Sequence, residues 1–308
     1  MSHQRPTRRA VLAGGGAFAA SALAAIKPAQ PQTGTSMREI PSTGAQIPAV
    51  GLGTWITFNV GRDPVLLQRS TQVMRSFFEA GGRVIDSSPM YGSSQDTLGH
   101  GFEQLGRPRG LFAADKVWTS SGEEGPAQIE QSRRKWRVPG FELMQVHNLR
   151  AWQAHLPQLF EMKRSGTIGH VGITTSEGRR HDLFEQIMRA EPLDFVQVTY
   201  NVLDREVEER ILPLARDRGI AVIVNRPFRQ GSLTRRLEGR PLPGWAGEIG
   251  ASTWAQFILK FILSHPAVTV VIPATTQPDH ARENVQAASG PLPGGKMRER
   301  MTAYVQEL

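Results

Sequence analysis

Two hydrophobic periods alternate along this chain. Apolar positions recur at helical spacing over 65–80, where Leu66, Val73, Met74, Phe77 and Phe78 form one stripe that stops at Gly81-Gly82. A short apolar run follows at 84–86, and the exchange of amphipathic stripe for short β-branched run repeats toward the C-terminus. The pattern predicts helices over 65–80, 95–105, 127–136, 152–165, 179–190, 206–218, 253–264 and 278–288. It predicts strands over 50–54, 84–86, 111–117, 143–147, 168–174, 195–199, 220–224 and 268–272. Ahead of these, 37–40 and 46–50, joined by Pro-Ser-Thr-Gly-Ala, read as a small hairpin.

Short, continuously apolar strands between amphipathic helices imply a parallel sheet covered on both faces. Eight such units in one chain favour closure into an α/β fold of the (β/α)8 TIM-barrel type, preceded by the short hairpin and occupying 37–308. No GxGxxG fingerprint opens the first helix, which counts against an open, doubly wound sheet. Chemistry in such a barrel belongs at the C-terminal ends of the strands.

The first 36 residues have another character. Residues 1–9 are polar and basic, 10–26 are small and apolar, and Ala20-Ser21-Ala22 or Ala22-Leu23-Ala24 offers a cleavage pattern. Residues 1–24 therefore read as a signal peptide. The pair Arg8-Arg9 before the apolar stretch resembles a twin-arginine export signal, which implies a periplasmic or exported protein. Retention of the segment as an uncleaved membrane tether is the other reading, although the stretch is short for a membrane span. Residues 25–36 read as a linker.

The absence of cysteine excludes disulfides, thiolate metal sites and cysteine nucleophiles. A formal charge of +8 raises the question of nucleic acid, but the basic residues are scattered among acids without aromatic interleaving, so no nucleic-acid partner is expected. No stable membrane insertion is expected once the leader is cleaved, and oligomeric state is not legible.

Asp86, Lys116 and His147 end the second, third and fourth predicted strands, and Tyr91 hangs from the loop after the second. Singly, each has an ordinary explanation: Asp86 as a helix cap, Tyr91 as rim packing. Together at one rim, they point to chemistry. A buried lysine requires a partner, which Asp86 supplies. A lysine beside a tyrosine favours the phenolate and is expected to lower the Tyr91 pKa, giving an acid for a carbonyl oxygen. A neutral His147 could hydrogen-bond that same oxygen. The set lacks an electron source.

These residues resemble the aldo-keto reductases. The resemblance covers roughly 37–288 and rests on Gly51-Leu52-Gly53-Thr54-Trp55, Val84-Ile85-Asp86 with Tyr91-Gly92, Asp115-Lys116, His147, Gly166-x-Ile168-x-x-Val171-Gly172, and Ile272-Pro273 with Glu283-Asn284. It implies reduction of an aldehyde or ketone by a nicotinamide cofactor, with Tyr91 as acid, Lys116 and Asp86 as its tuning pair and His147 orienting the substrate. Gln197 is implied as a carboxamide contact; Thr174 and Thr175 stand where the family has Ser-Asn, and Asn225 where many members place a stacking aromatic. Gly53, Thr54 and Trp55 are implied at the cofactor as well. Thr275, Thr276 and Asn284 match the adenosine-phosphate end, while Ala274 and His280 replace its usual basic residues, so Arg226 and Arg282 are the compensating cations. NADPH is the implied cofactor and NADH the alternative. A second reading is an exported nucleotide-binding sensor or subunit with little turnover. Trp118, Phe228 and Trp245, in loops 118–128 and 226–251, are the candidates to line a substrate pocket.

Overall fold

The computed structural model describes residues 36–308. The predicted signal peptide, and all but the last residue of the linker, lie outside the described residues.

Strands β1 (Met37–Glu39) and β2 (Gln46–Pro48) pair antiparallel as the expected hairpin. Eight parallel strands follow: β3 (Leu52–Gly53), β4 (Val84–Asp86), β5 (Phe112–Val117), β6 (Phe141–Val146), β7 (Ile168–Thr174), β8 (Phe195–Thr199), β9 (Ala221–Asn225) and β10 (Val270–Val271). Each pairs with its neighbour in chain order. The ends of the sheet also meet. Val50 bridges Val271 in parallel, the Gly51 amide donates to the Val271 carbonyl at 2.9 Å, and the Gly53 amide donates to Pro273 at 3.0 Å. A Cβ on Gly53 would lie 2.8 Å from the Ile272 carbonyl oxygen, so this closure depends on glycine.

A strand has period two, and here that period builds the site. Val84, Ala114, Leu143, Phe195, Ile223 and Ile272 belong to one apolar cluster inside the ring, which Ile40 and Ile47 of the hairpin region join. Two residues further along β4, β5, β6, β8 and β9 come Asp86, Lys116, Gln145, Gln197 and Asn225. The inward face is thus apolar up to one level and polar above it. Asp115, one residue out of phase, points instead toward the helical layer, where Gln95 donates to it.

Helix α1 (Pro64–Glu79) starts where Asp63 caps the Val65 and Leu66 amides at 2.9 and 3.0 Å, with proline at its first position. The other predicted helices appear as α2 (Ser94–Leu105), α3 (Gly125–Trp136), α4 (Trp152–Arg164), α5 (His181–Ala190), α6 (Ile211–Asp217), α8 (Trp254–Leu263) and α9 (Pro278–Gln286). Three elements differ from expectation. The helix expected over 206–218 is a short turn at Glu206–Glu208 and then α6, because Pro213 in a continuous helix would remove a backbone bond; in α6 it falls in the first turn, where none is needed. Helices α7 (Ser232–Leu237) and α10 (Gly295–Glu307) were not predicted. In α10 the buried stripe is thin, chiefly Met301 and Val305, and the helix is fixed by Arg298 donating to Glu208 at 2.6 Å. Among the described residues no helix is long and apolar enough to cross a membrane.

Candidate active site

Lys116 is wholly enclosed. Its Nζ donates to Asp86 Oδ1 at 2.5 Å and to the Ser87 carbonyl at 2.8 Å. The second Asp86 oxygen accepts from Gln145 Nε2 at 3.1 Å and Gln197 Nε2 at 2.9 Å. Both oxygens of the carboxylate are thereby hydrogen-bonded, three bonds in all, which is what a buried ion pair requires to persist. Burial works against the lysine charge, but Asp86 and then Tyr91 outweigh it, and the Lys116 pKa is raised.

Tyr91 sits over this pair, half-buried, with Lys116 Nζ 5.1 Å from its ring centroid. Its pKa is raised, contrary to the sequence argument. Burial pushes it up by more than Lys116 pulls it down. The phenol is therefore held protonated near neutral pH, and the lysine's effect is to limit the cost of losing that proton. The His147 ring meets the Tyr91 ring edge-on, centroids 5.6 Å apart. Burial and the Lys116 charge hold its pKa well below 6.5, so the imidazole is neutral. Its Nδ1 lies 2.7 Å from Ser88 Oγ.

Behind Lys116, Asp115 accepts from the Lys116 amide at 2.8 Å and from Gln95 at 2.7 Å. Burial raises its pKa to about 7, against the opposing pull of the Lys116 amide and ammonium.

A cavity of about 580 Å3 opens above these residues. Its walls include Asp86, Tyr91 and His147, with Gly53, Thr54, Trp55, Thr174, Gln197, Asn225 and Arg226, and with Thr275, Thr276 and His280 beside the start of α9. Lys116, Thr175 and Asn284 do not line it. Thr175 turns its hydroxyl to the Arg179 carbonyl at 2.5 Å, and Asn284 is buried on α9. Thr54 lines the cavity but donates its hydroxyl to the Asp86 carbonyl at 2.9 Å, so its side chain ties β3 to β4. Asn225 accepts from Thr199 at 2.7 Å and donates to the Thr175 carbonyl at 3.0 Å. Of the proposed substrate-pocket aromatics, only Phe228 reaches the cavity; Trp118 lies beside Arg150, and Trp245 packs on Phe257 and Tyr304.

A sequence profile of the aldo/keto reductase family matches residues 49–300. The chain belongs to the aldo/keto reductase family. It is 27% identical over 220 residues to the aldo-keto reductase YhdN of Bacillus subtilis, covering 64% of this chain and 63% of that protein. The chain thus spans less than two thirds of that relative's length. To the NADH-specific methylglyoxal reductase of Escherichia coli it is 24% identical over an alignment of 317 residues, covering 82% and 93% of the two chains. An aldo/keto reductase from Klebsiella pneumoniae, crystallised with NADP and acetate, superposes with a TM-score of 0.71 at 22% identity, covering 85% of this chain and 93% of that one. That likeness confirms the (β/α)8 fold.

The residues lining the cavity fit an anionic dinucleotide. Arg235 lines the wall and has no acidic partner among the described residues. Helix α9 begins at the same wall, with no side chain capping its first turn. Arg226 also lines the wall but is paired with Glu177. Arg282 is not on the wall and bonds Asp279 at 3.1 Å, whereas Arg235, which sequence reasoning passed over, is on it. Sequence reasoning also missed Gln145 and Ser88. Gln145 could have been found as the residue two before His147 on the inward face of a strand; Ser88 carries no such signal.

Proposed function

We propose that this protein reduces the carbonyl group of an aldehyde or ketone, with NADPH as hydride donor and Tyr91 as general acid. The observation that carries this reading is the buried Asp86–Lys116 pair lying directly beneath a protonated Tyr91 at the cavity wall. Bound NADPH supplies hydride to the carbonyl carbon. The chain's own residues manage the oxygen. Tyr91 gives its proton to the developing alkoxide, and the ammonium 5.1 Å from its ring centroid stabilises the phenolate left behind. Neutral His147 adds a second hydrogen bond and holds the carbonyl in line. Gln145 and Gln197 keep Asp86 fixed so that Lys116 stays beneath the phenol.

Thr174, Gln197 and Asn225 surround the nicotinamide end in this reading, while Arg235 and α9 serve the phosphates. NADH is the other donor to test, given the NADH-specific relative. The substrate end is apolar: Trp55, Ile56, Met90 and Phe228 line the mouth. Ile56 is 60% exposed and has a φ of 64°, a costly conformation for a β-branched residue. An aldehyde or ketone with an apolar substituent suits that mouth. No feature of the site favours the sensor reading.

The pair Arg8-Arg9 before a small, apolar stretch supports export of the protein already folded, with its nucleotide bound before translocation. Replacing Arg8-Arg9 by two lysines is expected to leave the protein in the cytoplasmic fraction. For the chemistry, the test is NADPH oxidation by the purified protein across aldehydes and ketones, beside Tyr91→Phe. Loss of roughly 10²- to 10⁴-fold in kcat with nucleotide affinity unchanged is expected; unchanged turnover in the variant would remove Tyr91 as the acid.

A further inference from the structure

His147 can act on a carbonyl oxygen only if its proton is on the nitrogen that faces the cavity. A neutral imidazole has one donor and one acceptor nitrogen, and its surroundings choose between them. Here the choice falls to Ser88. This serine is fully buried in the loop between β4 and α2, with its Oγ 2.7 Å from His147 Nδ1. The same oxygen accepts the Met90 amide at 3.2 Å.

A hydroxyl carries one proton and two acceptor positions. The Met90 amide occupies one acceptor position of Ser88, and Nδ1 is the other partner of the hydroxyl among the described residues. Were Nδ1 protonated, it would fill the second acceptor position and leave the serine proton with no acceptor in a buried site, an unfavourable arrangement. With Nδ1 unprotonated, every group is satisfied: Met90 N–H donates to Ser88 Oγ, and Ser88 O–H donates to His147 Nδ1. The imidazole proton then sits on Nε2, across the ring from buried Ser88, at the cavity that His147 lines beside Tyr91.

We propose that Ser88 is a positioning residue that fixes the tautomer of His147, so that the Nε2–H and the Tyr91 hydroxyl present two donors to one oxygen. In the opposite tautomer, Nε2 would offer a lone pair to that oxygen and compete for the Tyr91 proton. The effect on turnover rests on the carbonyl-reductase reading; the tautomer itself does not.

The test is long-range proton–nitrogen NMR of the full chain labelled with 15N-histidine, near neutral pH and without nucleotide. The His147 signals are assigned by their loss in His147→Asn. A single Nε2–H tautomer is expected in the wild type, a shift toward the other tautomer or a mixture in Ser88→Ala, and return of the wild-type pattern in Ser88→Thr. Wild-type protein with Nδ1 protonated, or Ser88→Ala retaining only Nε2–H, would overturn the proposal. The wild-type spectrum keeps it testable even if Ser88→Ala does not fold. In the carbonyl assay, Ser88→Ala is expected to lose at least about tenfold in kcat, with nucleotide Kd unchanged and Ser88→Thr restoring most of the rate. If the spectra behave as expected while no carbonyl is reduced by any form, the functional reading fails and the tautomer assignment stands.

Discussion

The two ends of the cavity are built on opposite principles. At the acid end, Asp86, Lys116, Gln145 and His147 are buried, and each is held by at least one hydrogen bond within the protein. Along the rest of the wall, which includes the loop after β9 and the start of α9, Arg226 is paired with Glu177, but Arg235 has no acidic partner among the described residues and no side chain caps α9. Arg226, Arg229 and Gln230 in the loop after β9 adopt left-handed backbone conformations, which cost energy at residues other than glycine. The difference is physical. Moving a proton needs charges fixed in a dry site before the substrate arrives, whereas holding a flexible polyanion needs a few accessible cations and backbone amides.

If that contrast is right, the largest effect comes from breaking the buried pair. Lys116→Met leaves the Asp86 charge unpaired, and a loss of about 3–5 kcal/mol in stability is expected, measured by denaturant unfolding. Asp86→Asn added to Lys116→Met removes the stranded charge and should recover much of that loss without recovering turnover. A nearly unchanged midpoint for Lys116→Met would mean that the acid end is less enclosed than described.

At the nucleotide end a single cation should matter less and in another quantity. Arg235→Ala is expected to weaken NADPH binding about tenfold by fluorescence titration, more at low salt than at high, while kcat at saturating nucleotide holds. An effect confined to kcat would place Arg235 with the chemistry and dissolve the comparison.

The pH dependence sharpens the acid end further. The Tyr91 pKa lies above its ordinary 10 and that of His147 well below 6.5, so neither group changes state near neutrality. The reduction rate at saturating substrate should be level from about pH 7 to 9. A limb inside that range, abolished by Tyr91→Phe or His147→Asn in the residual activity, would contradict the assigned protonation states.

The smallest effect concerns Asp115. Its pKa of about 7 in the fold exceeds that of an unfolded carboxyl, so the native state binds the proton more tightly. The resulting stabilisation is complete below the unfolded value of about 3.9 and fades as pH rises through about 7. Asp115→Asn keeps an acceptor for the Lys116 amide and cannot ionise. Its melting temperature, relative to wild type, should therefore improve by a few degrees between about pH 5 and pH 8; a constant offset across that range would show that Asp115 does not titrate there.

Much of the acid end was legible because strand periodicity is local. Asp86, Lys116 and His147 each close a short apolar run, and the barrel rule sends such ends to one rim. Gln145 was overlooked although it obeys the same period, since its meaning lies in a bond to Asp86, 59 positions away. The sign of the Tyr91 shift was misread because a charge beside a phenol can be inferred from motif, while the burial that outweighs it cannot. At the nucleotide end, Arg282 and Thr175 were reasonable expectations whose side chains turn elsewhere.

Taken alone, the sequence determined the number and order of β/α units, the barrel they close, and the four residues, Asp86, Tyr91, Lys116 and His147, that gather at one rim. These depend on spacing along the chain, which the chain itself displays. Tertiary structure decided which of those groups carry protons, which polar side chains remain available to a nucleotide, and that Ser88 stands against His147. Such properties follow from burial and from contacts between distant strands and loops, and only the closed barrel brings those partners within hydrogen-bond reach.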